Sequence, residues 1–98
     1  MVRHIVLWNH AETQSEAERA GNAKRLAAEL EALRGVIPGI IELKVRTDML
    51  SGNRSLMLDS LFESREALEH YVTHPEHVRV GQFVRAVTQE RACVDYEE

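Results

Sequence analysis

The stretch "RHIVLWNH" (3–10) is a short apolar run of β-branched and aromatic residues, which predicts a strand. One of its faces carries His4, Val6, Trp8 and His10, the other Arg3, Ile5, Leu7 and Asn9. Bulky apolar groups on both faces imply cover on both sides. Over 15–34 the period changes to that of a helix. Leu26, Leu30, Leu33 and Ile37 recur at spacings of four, three and four, a buried amphipathic stripe. Ser15, with Glu18 three residues on, makes a capping box at its start. Gly35 and Pro38 in "GVIPGI" (35–40) stop it.

"IELKVRT" (41–47) alternates, with Ile41, Leu43 and Val45 inward and Glu42, Lys44 and Arg46 outward. "SGN" (51–53) is a turn signal, and "SLMLDSLF" (55–62) is the returning strand of a hairpin. Ser64 begins a short helix through Val72, with Leu68, Tyr71 and Val72 on one side. Pro75 suits the first position of a further helix capped by His74, expected to run to about Glu90. "RACVDYE" (91–97) closes the chain as a strand. This β-α-β-β-α-β order predicts an α+β, ferredoxin-like domain: a four-stranded antiparallel sheet with helices on one face. Those helices leave Ile5 and Leu7 uncovered. A bare apolar sheet face marks a partner surface, so a face-to-face homodimer is expected.

Composition narrows the function. The 98 residues form one domain (1–98), and 44% hydrophobic with 29% charged residues is the make-up of a globular protein. A net charge of −4 with no basic run argues against nucleic acid as a partner. No apolar run approaches the roughly 20 residues that cross a bilayer, so no membrane association is expected. The first strand follows Met1 almost at once, leaving no room for a signal peptide. Cys93 is the single cysteine and has no internal partner. A cytoplasmic location follows as the expectation.

The chemistry concentrates in "YVTHPEHVRV" (71–80). His77 lies three residues before Val80 and seven before Val84, which places it along the inward stripe with Phe83 and Val87. A buried, unpaired imidazole costs about 1–3 kcal/mol, so it needs a partner, for which Tyr71 and His4 are candidates. Two readings stand: a structural histidine tying the helix break to the sheet, or the wall of a pocket lined by His4, Val6, Trp8, Tyr71, His77 and Val80. His74 reads as a cap and His10 as a solvated loop residue. His74 and His77 with His4 or His10 could share a metal, but no carboxylate completes the set, so neither metal nor cofactor is expected. There is no nucleophile elbow and no phosphate-cradling glycine loop.

"VRHIVLW", "ALRGVIPGI", "LFESREALEHYVTHPEHVRV" and "VDYE", in this order, span nearly the whole chain and resemble the stress-responsive A/B barrel (Dabb) family. The resemblance implies a ferredoxin-like fold that dimerises through its sheets into an α+β barrel. A plant polyketide cyclase of that family closes its substrate by aldol condensation, using residues that match His4, Tyr71 and His77. Imidazole suits removal of a proton beside a carbonyl, and a phenol with a second imidazole can hold the developing oxyanion. The resemblance thus implies a pocket for a small aromatic or ketone ligand and acid–base catalysis. The alternatives are a non-catalytic, stress-associated binding dimer and a cofactor-free monooxygenase-like enzyme. On the long helix this chain has small residues, Ala20, Gly21, Ala23 and Ala27, where that cyclase has aromatic ones. Asn9 and His10 also depart from the family's usual lysine and aromatic residue.

Overall fold

A computed structural model describes residues 1–98. Its elements in chain order are β1 (Val2–His10), α1 (Glu16–Ala32) with a 3₁₀ turn over Leu33–Gly35, β2 (Ile40–Arg46), β3 (Leu56–Phe62), α2 (Arg65–Thr73), α3 (Pro75–Val87) and β4 (Thr88–Glu97). The strands form one antiparallel sheet in the order β2-β3-β1-β4. This is the ferredoxin-like arrangement expected from the sequence. The helices lie over one sheet face, and no helix is long and apolar enough to cross a membrane.

The local signals act as read. Ser15 Oγ accepts from the Glu18 amide at 3.2 Å and the Glu18 carboxylate accepts from the Ser15 amide at 3.0 Å. Two of the orphan donors at the α1 terminus are thereby satisfied. Leu26, Leu30, Leu33 and Ile37 are all buried, and they pack on Val6, Trp8, Leu43, Val45, Leu56, Leu58 and Phe62 from the sheet. Gly39 turns the chain into β2 with φ of +91°, where a Cβ would stand 2.7 Å from that of Ala67 in α2. Only glycine permits both that backbone and that approach.

Three expectations shift. At the start of β2 a bulge intervenes between Ile40 and Glu42, so Ile40 rather than Ile41 packs on the core. Val72 is 48% exposed and lies outside the core, leaving Leu68 and Tyr71 as the inner face of α2. The last helix stops at Val87, three residues short of Glu90, and β4 begins at Thr88. The reason is competition for a carbonyl: Val87 O accepts from the Ala11 amide at 3.0 Å and from Gln14 Nε2 at 3.1 Å. A carbonyl held this way no longer needs a further helical turn to satisfy it.

Starting earlier, β4 meets β1 out of step. Leu7 opposes Ala92 and Asn9 opposes Gln89, so Glu90 and Arg91 together stand against Trp8. Glu90 adopts φ of 55°, a left-handed conformation disfavoured for a non-glycine residue by about 1–2 kcal/mol. Asn9 Nδ2 donates to its carboxylate and fixes the bulge.

On the sheet face away from the helices, cross-strand neighbours are Arg3, Leu61 and Tyr96, then Ile5, Asp59 and Val94, then Leu7, Met57 and Ala92. Val94 and Tyr96 are about half exposed. Arg3 bridges Glu42, Asp59 and Glu98 at one end of this face. The rest is a mainly apolar strip that no helix covers, with the loop at Met49–Arg54 beside Leu7.

Candidate active site

Between the helical side of β1 and the α2–α3 pair lies a cavity of about 320 Å³. Its floor is His4, Val6, Trp8 and Leu58, with Leu30 reaching in from α1. Its roof is Tyr71, Val72, His77, Val78, Gly81, Val84 and Arg85, and Arg91 closes the β4 side. Five of the six residues expected to line a pocket do so. Val80 does not: its side chain is fully buried in the core, because its place one turn after His77 aims it past the cavity at the sheet.

Pro75 brings the roof residues together. The α2 helix ends because the residue before a proline is held extended, and His74 accordingly has φ −63° and ψ 135°. The His74 Nδ1 accepts from the Glu76 amide at 3.1 Å, which makes it the cap of α3 as expected. The break puts Tyr71 at the end of one helix against His77 in the first turns of the next, with ring centroids 4.3 Å apart.

His77 is half-buried. Its Nδ1 donates to the Val72 carbonyl oxygen at 3.0 Å, and not to Tyr71 or His4 as anticipated. That bond selects the tautomer in which Nε2 keeps its lone pair. Burial pushes the His77 pKa down, with smaller contributions in the same direction from His4, Arg85 and Arg91, against an opposing one from the Val72 hydrogen bond. The ring is thus neutral near pH 7 and able to accept a proton.

Tyr71 is fully buried, edge-on to Phe62 at 4.9 Å and to His4 at 6.3 Å. Its hydroxyl meets no hydrogen-bond partner in the protein. Burial raises the phenol well above its ordinary pKa, so it stays a proton-bearing donor at any working pH.

His4 sits in the floor, 6% exposed. Its Nδ1 is hydrogen-bonded to the Asp95 carboxylate, and Ser60 Oγ donates to the His4 carbonyl at 2.7 Å. Asp95 is the residue that reading the sequence missed. The chain order implies that the first and last strands pair, but only their register, which no local pattern sets, puts His4 directly opposite Asp95. A histidine held at one nitrogen by a carboxylate is fixed in tautomer and orientation, which leaves Nε2 uncommitted.

His10 is half-buried at the end of β1, against the expectation of a solvated loop residue. Burial and, next, Arg19 lower its pKa. It lies apart from this cavity. The metal set weighed in the sequence does not assemble either, because His74 serves as a cap and stacks edge-on against His70. The donors that do converge are His4 Nδ1, Cys93 Sγ and Asp95 Oδ1, within 4.8 Å of one another. The His4–Asp95 hydrogen bond fills the space between two of them.

The fold and this site define a ferredoxin-like α+β domain with an imidazole- and phenol-bearing cavity between sheet and helices. The sequence profile of the "Stress responsive A/B Barrel Domain" matches residues 2–98, and the chain belongs to that family. No match was found among curated proteins. Among solved structures, a dimeric ferredoxin-like protein of unknown function from Bacteroides fragilis is 33% identical over 99% of this chain and 95% of that one, with a TM-score of 0.91. The hydroxynitrile lyase of Passiflora edulis is 18% identical over 97% of this chain and 90% of that one, with a TM-score of 0.80. An antibiotic biosynthesis monooxygenase is 14% identical over 100% of this chain and 98% of that one, with a TM-score of 0.77. The last two likenesses are of fold. Further neighbours are likewise described as dimeric.

Proposed function

We propose that the protein is a homodimer, each subunit of which binds a small ketone or aromatic compound in the cavity and removes a proton from the carbon beside its carbonyl. One observation carries this reading: a neutral His77 with Nε2 free lines a largely apolar cavity, its ring against that of Tyr71, whose buried hydroxyl has no protein partner. At about 320 Å³ that space lies at the small end of ligand sites, which run from about 300 to 1,000 Å³. In this scheme Nε2 of His77 accepts the proton, while Tyr71, aided by His4 on its Asp95 anchor, donates to the oxygen as charge develops there. An enolate held this way can add to a second carbonyl, the aldol step of a polyketide cyclase. The dimeric neighbours and the apolar strip of Ile5, Leu7, Met57 and Val94 support the homodimer.

The family's description favours a second reading, a stress-associated dimer that binds without catalysis. The two part on one measurement. Incubated with acetophenone in D₂O, the enzyme should exchange the methyl protons faster than buffer, as followed by NMR. His77→Ala should lose this by about 10²–10⁴-fold, the usual contribution of a positioned base. Binding with no exchange above buffer for acetophenone and a panel of related ketones would favour the second reading.

A further inference from the structure

We infer that the cavity takes a small organic acid, whose carboxylate is held at the mouth by Arg85 and Arg91 while its apolar body lies on Val6 and Trp8. The inference rests on the ligand-binding reading of this cavity and names the class of compound it selects.

The two guanidiniums reach the site from different elements, Arg85 from α3 two turns after His77 and Arg91 from β4. Neither has a carboxylate within ion-pair distance, a state they share with Arg19, Arg34, Arg46 and Arg54, but only these two line the cavity that holds His77. Arg91 lies beside the Cys93 thiol, a weak acceptor. The chain has 16 acidic residues against 12 Lys and Arg, yet no Asp or Glu lines the cavity. The lining of this cavity is therefore apolar and imidazole-bearing apart from two arginines without an acidic partner. A planar guanidinium matches a carboxylate through paired N–H donors, a fit that a lone ammonium does not offer.

The strained bulge points the same way. Arg91 is one of the two residues crowded against Trp8, next to the left-handed Glu90. A bulge beside a site re-aims a side chain, and strain of this sort persists where it serves the site. Without the extra residue, β4 would continue in simple register with β1 past Ala92. An acid anchored at the mouth would also carry its inner carbons toward His77 and Tyr71, as a 3-oxo acid must for the proposed proton removal.

The test compares phenylacetate with its uncharged isostere phenylacetamide by calorimetric titration at pH 8, where His77 is neutral. Phenylacetate should bind at least tenfold more tightly. Arg85→Gln and Arg91→Gln, both exposed positions whose fold circular dichroism can verify, should each remove most of that preference. Added salt should weaken only the acid. Equal binding of the two probes would overturn the anion assignment while leaving the cavity a ligand site. A preference that survives in both variants would overturn the role of the arginines. Binding of neither probe would sink this inference, and failure of the ketone panel to bind as well would sink the ligand-site reading beneath it.

Discussion

Tyr71 separates what holds the protein together from what the cavity does. Its ring is fully buried and packs on Phe62 at 4.9 Å and His77 at 4.3 Å, while its hydroxyl bonds to no protein group. Tyr71→Phe keeps every ring contact and deletes only the hydroxyl, so stability should change by less than about 1 kcal/mol, because no intramolecular hydrogen bond is lost. Tyr71→Ala empties the site of the ring and should cost about 3–5 kcal/mol, the usual range for an aromatic removed from a core. Against a total of about 5–15 kcal/mol that is severe. At about 4–8 °C per kcal/mol for a domain of this size, the alanine variant should melt on the order of 20 °C lower and the phenylalanine variant within about 8 °C of the parent. Urea unfolding and calorimetry at pH 8 and one fixed protein concentration measure both, since a dimer's melting point moves with concentration. The acetophenone exchange rate supplies the other half. Loss of an oxyanion donor costs about 10²–10³ in rate, and Tyr71→Phe should show such a loss. A phenylalanine variant destabilised by 2 kcal/mol or more, or one with undiminished exchange, would refute the division of labour argued here.

Leu7→Asp should split the dimer or unfold it, because Leu7 lies on the apolar face the helices leave bare and an unpaired charge there would be buried in the interface. Sedimentation of the parent as a stable, folded monomer would contradict this. His77 should titrate below 6.5 in the folded protein, as read from its ring protons by NMR, because burial disfavours its charged form. With the folded pKa depressed, the unfolded chain binds the proton more readily, so stability should fall as pH drops from about 6.5 through the folded value and level off below it. His10 shifts in the same direction, so the slope due to His77 is the part that His77→Gln removes. Gly39→Ala should destabilise by about 2–4 kcal/mol in urea unfolding, since it adds left-handed strain to a 2.7 Å clash with Ala67. A change below 1 kcal/mol would mean that α2 can shift away.

The sequence determined the elements. Periodicity and caps are local properties, so the Leu26–Leu30–Leu33–Ile37 stripe, the Ser15 box and the His74–Pro75 break act in the fold as the chain order implies. Two inward imidazoles and a phenol were legible for the same reason, since strand alternation and helical register fix which way a side chain leaves the backbone. Register between distant strands is not local. It decided that Asp95 stands against His4, that Glu90 and Arg91 crowd into one bulge, and that α3 ends at Val87 once Ala11 and Gln14 claim its carbonyl. The partner of His77 turned on tertiary geometry as well. Pro75 sets the angle between two helices, and that angle, invisible in spacing, brings the Val72 carbonyl to Nδ1, tucks Val80 into the core and leaves the Tyr71 hydroxyl buried without a protein partner.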